Sequence, residues 1–401
     1  MVQEPSTIEL LKALLASPEI VRVRPSVNWF LIQYLRKFKV RSVGGHLIIH
    51  SHLPPLNSSA YRRFINEHLL VKAAGPSHSQ IGLTNACPQN CSYCYNKERT
   101  GTVMNTDLIK QVIQDLKKLG VFWIGLTGGE PLLNKDIVAI TESVGDGCAV
   151  KLFTTGCTLT KELASDLKRA GLFSVSVSLD HWKEEEHDRV RGYKGAFQTA
   201  MSAIDIFKNV GGIDVGVSAV LSAEMIRNHQ VEEYLDFLNK LEIHEAWVSE
   251  VKPSVPEFWD QAVVISEEER RYLVQLQDRY NKQRGMTVNY LGHFEGREHF
   301  GCCAGHKMVY VDAFGLVSPC VFTPMAFGNV REKPIREIYR EMRAHFPTEN
   351  RCFMNHNYTI LQKHYRGDAP LGESETLKLM EEIEFAPYAR FFQLHYGQKG
   401  T

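Results

Sequence analysis

From about residue 80 to residue 284, short apolar runs alternate with stretches in which apolar residues recur every three or four positions. The short runs are typical of buried strands and the longer stretches of amphipathic helices, so their alternation predicts βα units around a parallel sheet. Six strands are expected, at residues 81–83, 121–126, 150–153, 173–179, 215–221 and 245–251. Helices are expected between them, among them 106–119, 161–170, 196–208 and 231–241.

Parallel strands in this arrangement curl toward a barrel, with functional residues at the carboxyl ends of the strands. The predicted fold class is α/β, with a partial, TIM-like (β/α)6 barrel over residues 79–285. Residues 1–78 form an accessory region of two helices, a hairpin at 39–50 turning on Gly44-Gly45, and a helix from Ser59. The pattern of apolar positions changes after a predicted helix at 266–284, and residues 286–401 are expected to form a small α+β domain. Its expected elements are a strand, turn and strand at 308–320 and helices at 334–343 and 374–384.

The charge balance restricts the partners. Among 401 residues, 46 Lys and Arg oppose 46 Asp and Glu, so bulk charge attracts no polyanion and a general nucleic-acid binder is not expected. No apolar run approaches the length of a membrane span, and the first residues carry acids where a secretory signal carries bases. We therefore expect a cytoplasmic protein.

Nine cysteines, an odd number, favour metal or redox chemistry over a disulfide framework. Cys87, Cys91 and Cys94 directly follow the first predicted strand. Their spacing lets one loop bring three thiolates to three corners of a cubic iron-sulfur cluster and leaves one iron without a protein ligand. A structural zinc ion would need a fourth nearby ligand, which the loop does not offer. Unligated core cysteines are the remaining alternative.

This loop, with Tyr93 before its last cysteine, resembles the signature of the radical S-adenosylmethionine (radical SAM) superfamily. After the second strand, the turn Gly128-Gly129-Glu130 resembles the family's turn that binds the methionine amino group of SAM. Two glycines allow close approach of a ligand, and a carboxylate can accept from an ammonium group. Thr155 stands after the third strand where family members commonly have Asn.

The fourth strand ends at Ser178 and leads to Arg191, in a stretch that resembles peptide- and protein-modifying members of the family. The resemblance makes both residues candidates for holding the SAM carboxylate and ribose, since arginine offers a planar fork to a carboxylate. The alternative is a surface arginine paired with Asp188 or Glu186. Cys157, after the third strand, is expected to be a small buried side chain.

The resemblance implies that the open iron binds SAM and that one electron cleaves it to methionine and a 5'-deoxyadenosyl radical, which takes a hydrogen from the substrate. It also implies a reductant protein of flavodoxin or ferredoxin type.

A second cysteine region brackets the predicted hairpin at 308–320 and resembles the SPASM and twitch domains, which hold auxiliary iron-sulfur clusters. A full SPASM domain continues with four more closely spaced cysteines and one beyond, whereas this chain offers only Cys352. One auxiliary cluster held by Cys303, Cys320 and Cys352 is the leading interpretation. The fourth ligand is Cys302, His306 or a substrate group, or the fourth position has no ligand. The alternative interpretation is a hairpin that holds no cluster.

Two further features have competing interpretations. Residues 28–37 combine aromatic bulk with basic residues, which suits contact with a membrane surface or a lipid-like substrate, or packing within the protein. His50 and His52 can lie on one face of a strand as metal ligands or make ordinary polar contacts.

The predicted substrate is a peptide or protein side chain, modified by crosslinking or oxidation. A small molecule, a sugar metabolite or a lipid-linked compound is the second candidate, because residues 1–78 open with helices and not with the three strands of the usual peptide-recognition module. The rival from another class is a non-catalytic iron-sulfur scaffold or electron carrier, which has no use for the Gly-Gly-Glu turn.

Overall fold

The computed structural model describes residues 6, 17–71, 75–97, 99–259, 263–365, 367 and 370–397. Its strands, numbered in chain order, are β1 (Arg41–Val43), β2 (His46–Ile48), β3 (His78–Gly82), β4 (Trp123–Thr127), β5 (Ala149–Thr154), β6 (Leu172–Ser178), β7 (Asp214–Leu221), β8 (Glu245–Glu250), β9 (Thr287–Tyr290), β10 (Met308–Val311) and β11 (Val317–Ser318). The α-helices are Pro25–Leu35, Ser59–Arg63, Thr106–Lys118, Ile137–Val144, Lys161–Arg169, Glu184–Arg191, Ala196–Val210, Ala223–Arg227, Val231–Lys240, Glu267–Asn281, Leu291–Phe294, Ile335–His345, Phe353–His364, Glu373–Glu381 and Arg390–Tyr396. No helix within the described residues combines the length and apolarity that crossing a membrane requires.

One sheet of nine strands organises the chain, in the order β11-β10-β3-β4-β5-β6-β7-β8-β9. All neighbours from β10 to β9 pair in parallel, and only β11 runs antiparallel to its neighbour. The sheet order is open, so the predicted partial barrel is confirmed, and β3 to β8 are the six predicted strands.

The last part of the chain is joined to the barrel more closely than expected. β9 continues the sheet beyond β8, and β10 pairs with β3, from Met308 opposite His78 to Val311 opposite Ile81. The main hydrophobic core runs without a break from the barrel strands into the helix Ile335–His345. The boundary at 285/286 therefore remains a prediction, while the two regions share one sheet and one core.

The hairpin β1–β2 forms as predicted, and Gly44 and Gly45 take φ of 58° and 84°, as a two-residue hairpin turn requires. It attaches to the amino end of the barrel. Arg41 is 0% exposed, and its Nε lies 2.7 Å from Oδ1 of Asp214 while its Nη2 lies 2.9 Å from Oε2 of Glu245. These carboxylates are the first residues of β7 and β8, so a buried ion-pair network joins the accessory region to the barrel.

The other accessory elements also pack on the protein. His52 stacks between aromatic rings, with its centroid 4.0 Å from that of Trp247 and 4.9 Å from that of Trp123. In the helix Pro25–Leu35, the ring of Phe30 packs 5.6 Å from Phe391 of the last helix. The helix from Ser59 continues as a π-helix, Phe64–Leu70, and the first predicted helix falls largely on residues outside the described ones.

Replacing Arg41 by methionine is expected to lower the free energy of unfolding by about 3–5 kcal/mol, because it leaves the buried Asp214 carboxylate without its arginine partner and Glu245 with Lys151 alone. Urea unfolding followed by circular dichroism measures the change. Arg36→Met, at an exposed position of the same region, is the matched control and should shift stability by less than about 0.5 kcal/mol. Equal effects of the two substitutions would contradict the structural role of Arg41.

Candidate active site

The first cysteine loop lies at the carboxyl end of β3, where Cys87, Cys91 and Cys94 line a cavity of about 920 Å³. The loop is held against the end of the helix Glu184–Arg191. The backbone N–H of Asn90 donates to the Arg191 carbonyl at 2.9 Å. Gly192 allows this approach, because a Cβ there would lie 2.5 Å from the Asn90 carbonyl oxygen.

Arg191 is buried beside this loop and pairs with Asp180, which follows β6. Its Nε lies 2.8 Å from Oδ2 and its Nη2 2.9 Å from Oδ1 of that carboxylate, and the hydroxyl of Tyr93 donates to the same group. Nη1 lies 3.9 Å from the Cys91 sulfur. The Asp180 carboxylate therefore holds Tyr93, and the buried positive charge of Arg191 faces one of the three thiols.

The two surface pairings considered for Arg191 are not the ones observed. Asp188 accepts hydrogen bonds from the backbone N–H groups of Gly195 and Phe197, at 2.6 and 2.9 Å, and so caps the next helix. Glu186 pairs with Arg189 at 2.6 Å. Both Ser178 and Arg191 line the cavity.

Glu130 is fully buried, and its carboxylate accepts hydrogen bonds from neighbouring groups of the protein. Oε1 accepts from the backbone N–H of Leu132 at 2.9 Å and from the Thr154 hydroxyl at 2.7 Å. Oε2 accepts from the backbone N–H of Thr155 at 2.6 Å and from the Thr155 hydroxyl. A carboxylate has about four acceptor sites, so this network ties the turn after β4 to the turn after β5. Burial raises the pKa of Glu130, opposed by these hydrogen bonds.

The two glycines before Glu130 line the cavity and also pack against the chain that leads into the cysteine loop. A Cβ on Gly128 would lie 2.4 Å from the Thr84 carbonyl oxygen, and one on Gly129 would lie 2.4 Å from that of Ala86. The backbone N–H of Gly129 donates to Thr84 at 2.7 Å. The glycines thus permit close approach of the protein's own backbone at this edge of the cavity.

Sequence reasoning missed Asn96 and Arg99, which follow the cysteine loop. The Asn96 amide donates to the Gly128 carbonyl at 2.5 Å and accepts from the Tyr310 hydroxyl at 2.9 Å. The Arg99 guanidinium lies 2.9 Å from the Asp312 carboxylate, and both side chains are buried. These contacts tie the cysteine loop to β10 and its turn, and no local pattern in the sequence marks them.

The second cysteine region lines the same cavity with Cys302, Cys303, Cys320 and Cys352. Cys302 forms a β-bridge with Glu349, its N–H donating to that carbonyl at 2.8 Å. Cys302 and Cys352 belong to the main hydrophobic core, against which Cys320 packs. Cys303 packs instead against a separate apolar cluster, formed mainly by the helices Pro25–Leu35, Ser59–Arg63, Phe64–Leu70 and Arg390–Tyr396. The adjacent Cys302 and Cys303 side chains therefore face different surroundings.

A charged group beside these cysteines was also missed. Lys252 Nζ lies 3.1 Å from Oε1 of Glu250 and 2.9 Å from Oε2 of Glu295, and all three residues line the cavity. Burial alone would raise the pKa of the Glu250 carboxyl, but the charges of Lys252 and Arg270 lower it to about 2. The available signal was the position of Glu250 and Lys252 at the carboxyl end of a barrel strand.

The cysteine thiols that line the cavity are the type of ligand that binds iron-sulfur clusters. Within the described residues, no group of three or more His, Cys, Asp or Glu side chains surrounds a position for a single metal ion. Burial raises the pKa values of the Cys91 and Cys94 thiols. Positive metal ions would offset this and favour the thiolates.

Comparison with known proteins agrees with this geometry. The model of the radical SAM superfamily matches residues 81–241, and that of SPASM, an iron-sulfur cluster-binding domain, matches residues 302–362. This chain belongs to the radical SAM superfamily. It is a radical SAM enzyme whose cofactors are a [4Fe-4S] cluster, SAM and an auxiliary iron-sulfur cluster.

Individual relatives are distant. The radical SAM chain is 27% identical to an AdoMet-dependent heme synthase of Methanosarcina barkeri, over 64% of this chain and 80% of that protein. It is 30% identical to a PqqA peptide cyclase of Bradyrhizobium diazoefficiens, over 43% of this chain and 46% of that protein. The structure of Streptococcus suis SuiB bound to S-adenosylmethionine shares the fold, with a TM-score of 0.56, 16% identity and coverage of 69% of each chain.

Replacing Glu130 by glutamine is expected to raise the Kd for SAM about tenfold while iron content stays unchanged, because an NH2 group would face the Thr155 N–H and disturb both turns. Equilibrium binding of SAM to the reconstituted protein measures this. Thr155→Val should weaken binding in the same direction, and Glu162→Gln, at an exposed helix position, is the control. Unchanged binding in Thr155→Val beside lost binding in Glu130→Gln would indicate direct contact of Glu130 with SAM.

Proposed function

We propose that Cys87, Cys91 and Cys94 hold the SAM-binding cluster and that the cavity beside them receives the substrate. When bound and reduced by a flavodoxin- or ferredoxin-type protein, the cluster supplies the electron that cleaves SAM to methionine and the 5'-deoxyadenosyl radical that abstracts a substrate hydrogen. The observation that carries this proposal is the convergence of three cysteines and the turns after β4, β5 and β6 on one cavity.

The protein's own residues hold and shield this site. Gly128, Gly129 and Ser178 line the cavity and are proposed to bind SAM through backbone groups and a hydroxyl. Tyr93 and Arg191 also line it and are proposed to contact SAM, while their shared partner Asp180 keeps both in place. Glu130 and Thr155 are proposed to act mainly as positioning residues, since their polar groups bond to each other.

For the auxiliary cluster, we propose Cys302, Cys320 and Cys352 as ligands, in place of the set with Cys303 expected from the sequence. The support is that the first two of these pack in or against the same core as Cys352, whereas Cys303 packs with the terminal helices. Lys252 and Glu295, which form an ion pair, line the same cavity as these three cysteines.

The first proposed substrate class is a peptide or protein side chain, modified by crosslinking or oxidation. Its support is that one relative is named a PqqA peptide cyclase and that SuiB has been solved bound to the precursor peptide SuiA, with a TM-score of 0.54 to this chain, 16% identity and coverage of 70% of this chain and 67% of that one.

A small-molecule or lipid-linked substrate is the second candidate, and one observation favours it. In residues 17–71, the strands that the structure describes are only β1 and β2, which pair with each other at the amino end of the barrel. They offer no three-stranded module to which a peptide could add. Recognition then falls to the cavity itself.

The anaerobically reconstituted protein, given dithionite and SAM, is expected to form 5'-deoxyadenosine, measured by liquid chromatography. Cys87→Ala should reduce the product to background, because one ligand of the cluster is lost. Cys148→Ala, at a buried cysteine just before β5, is the matched control and should retain it. Absence of product from protein with a full cluster would refute the proposal.

Alanine at Cys302, Cys320 or Cys352 is expected to lower the iron content from about eight to about four per chain, as expected when one of two four-iron clusters is lost. Cys303→Ala should keep about eight. Iron analysis and Mössbauer spectroscopy of anaerobically purified variants measure this. Loss of four irons in Cys303→Ala, with retention in Cys302→Ala, would restore the ligand set expected from the sequence.

A further inference from the structure

The cavity extends well beyond the two cysteine regions. One part, here called the apolar chamber, lies between the accessory region and the last helix. Its wall includes Leu31, Leu35, Leu56, Phe64, Phe300 and Phe391. The chamber opens into the same cavity that Cys87 and Cys94 line, so a molecule bound in the chamber can extend to the radical site.

Three polar residues on the chamber wall, Asn28, His68 and His78, direct hydrogen bonds into the protein. The Asn28 amide donates to the Ile20 carbonyl at 2.8 Å and to a second carbonyl. A ring nitrogen of His68 lies 2.8 Å from the Gly120 carbonyl, and one of His78 lies 2.7 Å from the His52 carbonyl. Burial lowers the pKa of His68 to about 3 and that of His78 to about 4, so both rings are neutral at pH 7.

This environment discriminates between substrate classes. A peptide backbone drawn against this apolar wall would bring N–H and C=O groups whose burial without partners is costly. A hydrocarbon chain brings no such groups and is stabilised by its removal from water. The chamber thus suits an aliphatic chain.

The rim of the chamber is apolar and exposed. Val21 is 81% exposed and Ile32 is 57% exposed, yet both also line the cavity. Trp29, on the same helix three residues before Ile32, is 63% exposed. Such a rim is unusual for a surface in contact only with water, and it lies where a ligand would enter.

Basic residues flank the rim in the chain. Arg22 and Arg24 stand on either side of the buried Val23, and Arg36 follows the helix that carries Ile32. All three are exposed. Positive charge beside an apolar entrance is complementary to an amphiphile with an anionic head group.

We propose that the apolar chamber binds the hydrocarbon chain of an amphiphilic substrate with an anionic head group at the rim. The inference rests on the proposed radical chemistry and deepens its second substrate class. The chain enters past Val21 and Ile32 and extends toward Cys87, which brings an unactivated carbon to the radical site while the head group stays near the surface.

The test uses the full-length, anaerobically reconstituted protein and a dansyl-labelled C12 fatty acid as the probe. The unmodified protein is expected to bind the probe saturably, with displacement by unlabelled dodecanoate. Val21→Glu combined with Ile32→Glu should raise the Kd at least tenfold, because two carboxylates would occupy the apolar entrance and repel the anionic head group. Val103→Glu, at an exposed position outside the cavity lining, is the matched control and should bind as the unmodified protein does.

Iron content and circular dichroism report folding of each variant, so a loss of binding in a folded variant is assigned to the entrance. No saturable binding by the unmodified protein, or equal affinity in the double variant, would overturn the inference. Displacement of the probe by an apolar peptide but not by dodecanoate would overturn it in favour of the first substrate class. Probe binding needs no SAM cleavage, so failure here and failure to form 5'-deoxyadenosine are separate results.

Discussion

The site depends on how an irregular loop is held. Residues 87–94 carry three thiols without a helix or strand to fix them. Their positions are set by neighbours from separate parts of the chain: the turn at Gly128 and Gly129, the end of the helix before Gly192, and Asn96 with its bond to Tyr310. The glycine turn directly follows β4, and the other neighbours lie in the connections after β3 and β6, so the order of strands in the parallel sheet brings these segments together around the three sulfur atoms.

The same sheet relates the two cysteine regions to each other. β10 pairs with β3, and the buried Arg99–Asp312 ion pair reinforces this junction just beyond the first cysteine loop. A buried pair of this kind contributes little net stability compared with apolar packing, but removal of one partner is costly. The relative placement of the two regions is therefore a property of one hydrogen-bonded sheet and not of a flexible linker between domains.

Most of the barrel could be predicted from the sequence because parallel strands are buried on both faces and appear as continuous apolar runs. Helix ends were also predictable where polar caps mark them, as at Asn105 and Thr160, whose side chains accept from the third residue beyond. β9 was missed because its Thr287 and Asn289 are polar, although both are buried and donate or accept within the network around Arg41 and Glu245. Arg41 lies 246 residues before Thr287, so the local sequence pattern does not reveal that the two side chains are partners.

The choice between Cys302 and Cys303 shows the same limit, since a β-bridge to Glu349 decides which side chain faces the core.

The chamber wall has a consequence for biosynthesis. It includes both Leu31 and Phe391, so it cannot form until residue 391 has been synthesised. Because chains fold progressively as they leave the ribosome, the barrel strands can pair while that wall is still missing. The cavity that the cysteines line is therefore complete only when the helix Arg390–Tyr396 has packed in place.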